Sequence, residues 1–90
     1  MKPIFTKPFI KQYRKLPKRI QEKTDEQIAL LLENPKHPSL GIKKMEGPND
    51  IWEGRITQSY RFTYQTKGDT YILRRVGTHD VLKDPQDNPH

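Results

Sequence analysis

Six basic side chains and one imidazole fall in or beside stretches that alternate between apolar and polar residues: Lys43, Lys44, Arg55, Arg61, Arg74, Arg75 and His79, with Asp80 directly after. Arginine grips phosphate with two parallel N–H bonds, and lysine binds it or, with a lowered pKa, accepts a proton. Histidine exchanges protons near neutral pH. Gathered on one surface, this set suits the cleavage of RNA, whose 2′-hydroxyl is a built-in nucleophile. The reaction asks for a base to take the 2′ proton, cations to hold the charge of the crowded phosphate, and an acid to protonate the departing 5′ oxygen. No metal or other cofactor is needed in principle. The chain has no cysteine, and His37 and His90 stand apart, so no metal-ligand spacing is present. No P-loop, dinucleotide fingerprint or nucleophile elbow occurs.

A sheet is the element that can gather such residues. Period-2 alternation predicts strands over Ile42–Glu46, Ile51–Thr57, Tyr60–Gln65 and Thr70–Gly77, with turns at Gly47-Pro48-Asn49-Asp50 and Lys67-Gly68-Asp69. Trp52, Ile56, Tyr60, Phe62 and Tyr64 take the core side. The other side then receives Glu53, Arg55, Thr57, Arg61 and Thr63, with Lys43 or Lys44 and one of Arg74 or Arg75. The phase of the last strand is ambiguous, because Ile72 and Leu73 both look buried.

Before residue 35 the period is that of a helix. Phe9, Tyr13 and Leu16 share one face, Thr6 can cap it, and Pro8 fits its first turn. Pro17 interrupts, and Ile20, Thr24, Ile28 and Leu31 form a second stripe that ends at Asn34-Pro35. The expectation is one small α+β domain over residues 1–84. A strand near residues 2–6 leads into a helical hairpin (about Lys7–Leu16 and Pro17–Glu33). The hairpin packs on one face of a three- to four-stranded antiparallel sheet. Residues 85–90 read as a polar tail.

Composition bounds the partners. The chain has 90 residues, 31% of them hydrophobic, and a formal charge of +6. One thin core is all it can bury. Residues 1–23 hold eight bases against one acid, and residues 43–75 hold seven against four, with acidic stretches after each. A polyanionic partner follows. Lys7, Lys11, Arg14, Lys15 and Lys18 line the outer face of the first helix; alone, such a row is usually a solvated face. Strand arginines are often plain surface charge, and a single loop histidine is more often structural than catalytic. No apolar run reaches the roughly 20 residues of a membrane-spanning helix. The first residues lack a secretory signal. A soluble cytoplasmic protein is expected.

Six pieces of the sequence, taken in order, resemble the RelE/ParE toxin superfamily. They are Phe9–Pro17, Asn34-Pro35 with His37-Pro38-Ser39-Leu40, Lys43–Gly47, Ile51–Ile56, Ser59–Tyr64 and Arg75–Asp80. The resemblance runs from about residue 2 to 83. It implies a type II toxin with a cognate antitoxin, existing as a monomer or a toxin–antitoxin hetero-oligomer. Gly77-Thr78-His79 is similar to the YafQ branch, where the matching histidine is catalytic. Tyr60-Arg61-Phe62 is similar to the RelE and YoeB pattern, where the matching arginine holds the scissile phosphate. Lys43 and Lys44 lie where RelE proteins carry catalytic lysines. Arg55 stands where YafQ has a histidine, Ser59 where it has an aspartate, and the C-terminal tyrosine of RelE and YoeB has no clear match. The site is thus a mixed one.

The resemblance implies a metal-independent endoribonuclease that cuts mRNA on the ribosome and stops translation. Arg61 and Arg55 would clamp the phosphate, Lys43 or Lys44 would assist at the 2′-hydroxyl, and His79 would transfer a proton with Asp80 orienting it. Lys7, Lys11, Arg14, Lys15, Lys18, Arg74 and Arg75 would hold ribosomal RNA. Two rivals keep the fold: a ParE-like toxin that poisons DNA gyrase, and a non-catalytic relative that binds its antitoxin.

Overall fold

Thr6 starts the first helix as the sequence predicts. Its hydroxyl oxygen accepts from the Phe9 amide at 3.4 Å, and Pro8 sits in the first turn. Helix α1 covers Lys7–Arg14, two residues shorter at its end than expected, and α2 covers Lys18–Glu33. Pro17 lies in an extended conformation at the N-cap of α2 rather than inside its first turn. These elements come from a computed structural model, which describes residues 2–78 and Leu82.

The strands are β1 (Lys2–Phe5), β2 (Lys43–Lys44), β3 (Trp52–Arg55), β4 (Tyr60–Lys67) and β5 (Thr70–Thr78). Their order across the sheet is β1-β5-β4-β3-β2. The meander β2 to β5 is antiparallel, as alternation and turn residues predict, and Gly68 turns the β4–β5 hairpin at φ 60°. The sheet has five strands rather than three or four, because β1 joins as an edge strand parallel to β5. All four residues of β1 are exposed, so burial leaves no alternation there for a sequence reading to find.

Both helices cover one face of the sheet. Phe9, Leu16, Ile20, Ile28 and Leu31 pack with Phe62, Tyr64, Tyr71, Leu73 and Val76 in one core, which Leu40 and Ile56 complete. Gly54 lies opposite Phe62 across β3 and β4, and a β-carbon there would run into the Phe62 ring. The glycine is therefore a packing requirement of the fully buried Phe62 ring.

The phase of β5 is resolved by a bulge. Thr63 pairs with Arg75, but Tyr64 pairs with Leu73, so Arg74 is an extra residue. Leu73 and Val76 thus both reach the core, three positions apart, while Arg74 and Arg75 turn to the other side. Helix α1 caps this irregularity. The Thr6 hydroxyl points at the carbonyls of Leu73 (2.9 Å) and Arg74 (3.0 Å), and the Gln12 side-chain oxygen accepts from the Val76 amide at 3.1 Å. These side chains satisfy the backbone of β5 where β1 has ended.

Candidate active site

The sheet face away from the helices carries the cations. Residues directly opposite each other in an antiparallel pair share a face. The register Lys43–Glu53–Thr63–Arg75 forms one row across β2 to β5, and Arg55–Arg61–Gly77 forms the next. Lys43, Arg55, Arg61 and Arg75 therefore stand on one surface. Arg74 joins them through the bulge, its Nη1 donating to Gln65 Oε1 at 2.6 Å.

Lys44 does not join them. It lies opposite Trp52, which packs against the core, and its Nζ pairs with Asp50 at 2.9 Å. Of the two lysines, Lys43 is the one on the cationic face. His79 and Asp80 lie outside the described residues, as does the proposed tail 85–90. Lys7, Lys11, Arg14, Lys15 and Lys18 are all exposed on the helical hairpin, apart from the sheet face. His37 caps the short 3-10 turn Pro38–Leu40, its Nδ1 accepting from the Ser39 amide at 3.1 Å. Among the described residues no cluster of His, Asp and Glu is arranged to hold a metal ion.

Arg55 and Arg61 face each other directly, an arrangement that costs energy through like-charge repulsion unless an anion lies between them. Each is held in place. The buried Gln27 of α2 donates to the Arg55 carbonyl at 2.9 Å and so pins the end of β3. Gly41, at φ 52°, passes close to the Arg55 side chain; a β-carbon there would lie 3.7 Å from Nε. Arg61 donates from Nη1 to the Thr57 carbonyl at 2.5 Å.

Glu53 is the residue that sequence reasoning did not count among the site. Its alternation with Arg55 puts it on this face, but nothing local says that it is only 4% exposed. Its Oε1 lies 3.2 Å from Arg61 Nε, and its Oε2 lies 3.9 Å from Lys43 Nζ. Thr63 beside it is likewise buried.

The helix side offers a different surface. A groove of about 520 Å³ opens between β1, α1 and α2, lined by Phe5, Phe9, Ile10, Tyr13, Ile28 and Leu32 among others. Phe5 and Ile10 are 42% and 38% exposed, large for apolar side chains. Tyr13 donates to Asp25 at 2.7 Å beside the groove, and that carboxylate, followed by burial, raises the Tyr13 pKa. Lys7, Lys11, Arg14 and Lys15 surround Ile10 on the outer side. No helix among the described residues is long and apolar enough to cross a membrane.

Known proteins share this fold. The family model of the ParE toxin of type II toxin–antitoxin systems (parDE) matches residues 4–81. Toxin RelE3 of Methanocaldococcus jannaschii is 32% identical in an 82-residue alignment that covers 84% of this chain and 88% of that protein. The RelB–RelE antitoxin–toxin complex from Methanococcus jannaschii superposes with a TM-score of 0.74 at 26% identity, covering 90% of this chain and 95% of that one. YafQ from Escherichia coli strain BL21(DE3) has the same fold, with a TM-score of 0.77 at 16% identity over 90% of this chain and 96% of that one.

Proposed function

The chain belongs to the RelE/ParE superfamily of type II toxins, and from that premise we propose that it is an endoribonuclease that cuts mRNA on the ribosome. The observation that carries this reading is the pair Arg55 and Arg61, opposed on one face with Lys43 beside them. Two arginines opposed on one face suit a phosphodiester, which each can grip with paired N–H bonds. In the reaction the 2′ oxygen attacks phosphorus and the bond from phosphorus to the 5′ oxygen breaks. The 2′ proton passes to a base, and an acid protonates the leaving 5′ oxygen. The products are a 2′,3′-cyclic phosphate and a 5′-hydroxyl. Arg61 and Arg55 hold the charge on the pentacoordinate phosphate, and Lys43, in the adjacent row of the same face, adds to the positive field. Proton transfer falls to His79, with Asp80 orienting it, on the resemblance to YafQ. The basic row of α1 adds long-range attraction to ribosomal RNA.

A cognate antitoxin completes the reading, since the matching solved structures include toxins bound to theirs. The groove between α1, α2 and β1 is its seat. An amphipathic segment would bury apolar side chains against Phe5 and Ile10 and set acids against Lys7, Lys11, Arg14 and Lys15.

Primer extension on mRNA, with and without ribosomes, tests the nuclease. Wild-type protein is expected to cut only on ribosomes, and Arg61→Ala to lower the cut by about 10²-fold or more, the scale of charge-stabilising groups. DNA damage and filamentation on expression, with intact mRNA, would support the rival gyrase poison that the ParE family model brings forward.

A further inference from the structure

We propose that Glu53 is a positioning residue of the phosphate-binding face, acting through Arg61. The inference rests on the nuclease reading above and adds a residue to it. Among the described residues Glu53 is the carboxylate set within this array of cations, and it is almost wholly buried. Burying a carboxylate is costly unless charge partners surround it. Here the partners are two members of the candidate site, one on each neighbouring strand: Lys43 on β2 and Arg61 on β4.

The geometry separates positioning from simple neutralisation. Arg61 is held at two points, Nε facing Glu53 Oε1 and Nη1 bonded to the Thr57 carbonyl. That leaves Nη2, with its two N–H groups, for a ligand. A guanidinium fixed in this way meets a phosphate without first giving up side-chain freedom. The Oε1 contact is short but not aligned as a hydrogen bond. Glu53 therefore orients Arg61 by charge without closing its donors. Its Oε1 is buried, has no hydrogen-bond partner and faces Arg61 Nε, so this oxygen is placed to hold the arginine.

The test uses purified full-length protein with programmed ribosomes. Glu53→Gln keeps the size and removes the charge. Its kcat is expected to fall by about tenfold or more, while KM stays level or falls, because a negative charge has left a phosphate site. Arg61→Ala and the double variant complete a cycle. If Glu53 works through Arg61, the double variant is no slower than Arg61→Ala alone. A Glu53→Gln enzyme that cuts at the wild-type rate overturns the inference, and so do losses that multiply in the double variant. Should Glu53→Gln fail to fold, the wild type still decides: NMR relaxation of the Arg61 Nε–H should report a side chain more ordered than that of the exposed Arg55, and equal mobility would end the proposal. A wild-type protein that cuts no RNA on ribosomes sinks the nuclease reading itself, a result distinct from an active wild type whose Glu53 is dispensable.

Discussion

The two faces of this sheet are made from alternate residues of the same strands, yet they hold opposite chemistry. On the helix side, Phe62, Tyr64, Leu73 and Val76 pack to near-zero exposure. On the other side, one residue away along each strand, Arg55, Arg61 and Arg75 share a surface on which Lys43 and Arg61 flank the buried carboxylate of Glu53. Stability is concentrated on the first face and unbalanced charge on the second. A small domain can carry an excess of cations on one face because its apolar core packs on the other and is not disturbed by them. The difference suggests that substitutions should divide by face, with stability and activity failing separately.

The largest effect is expected from the helix side. Phe62→Ala should cost about 3–5 kcal/mol in urea denaturation, the range for a buried ring in a packed core. Activity should then fall only with the folded fraction. On the open side, Arg55→Ala should slow cleavage by about 10²-fold, roughly 2.7 kcal/mol of barrier. Its unfolding free energy in urea should stay within about 0.5 kcal/mol of wild type, because Arg55 is exposed. A matching loss of stability would break the division. Gly54→Ala sits between the two faces. The new methyl would collide with Phe62 and displace β3, which carries Glu53 and Arg55. A cost of about 1–3 kcal/mol is expected, together with a loss of turnover in the fraction that remains folded.

The smallest effect is one of pH. Burial, with the neighbouring Tyr71 second, pushes the Tyr64 hydroxyl up to about 12 from 10.0. Below pH 10 the folded and unfolded chains both keep this proton, and stability does not depend on it. Between pH 10 and 12 the unfolded chain releases the proton first, so stability falls as pH rises. Tyr64→Phe should flatten that part of the profile and leave the neutral range little changed. An alkaline slope equal to wild type would show that Tyr64 ionises freely.

Much of the helix side is visible in residue types alone. The i, i+4, i+7 spacing of Phe9, Tyr13 and Leu16 marks the buried stripe of α1, and Thr6 and Pro8 mark its start. Strand alternation likewise sets Arg55 and Arg61 against Phe62 and Tyr64. These are local signals, because the backbone period dictates which side chains share a face. The last strand resisted such a reading for a definite reason: its bulge at Arg74 breaks the period, and a bulge exists only relative to a partner strand.

By itself, then, the sequence determined the succession of elements, the apolar stripes, the caps and the basic character of the open face. Each depends on neighbours a few residues away. Only the tertiary structure decided that Lys43 rather than Lys44 faces the arginines, that β1 joins the edge in parallel, and that Glu53 is buried between Lys43 and Arg61. These depend on which residues lie across from one another on different strands. Cross-strand register is a property of the assembled sheet, and a shift of one residue would exchange the two faces.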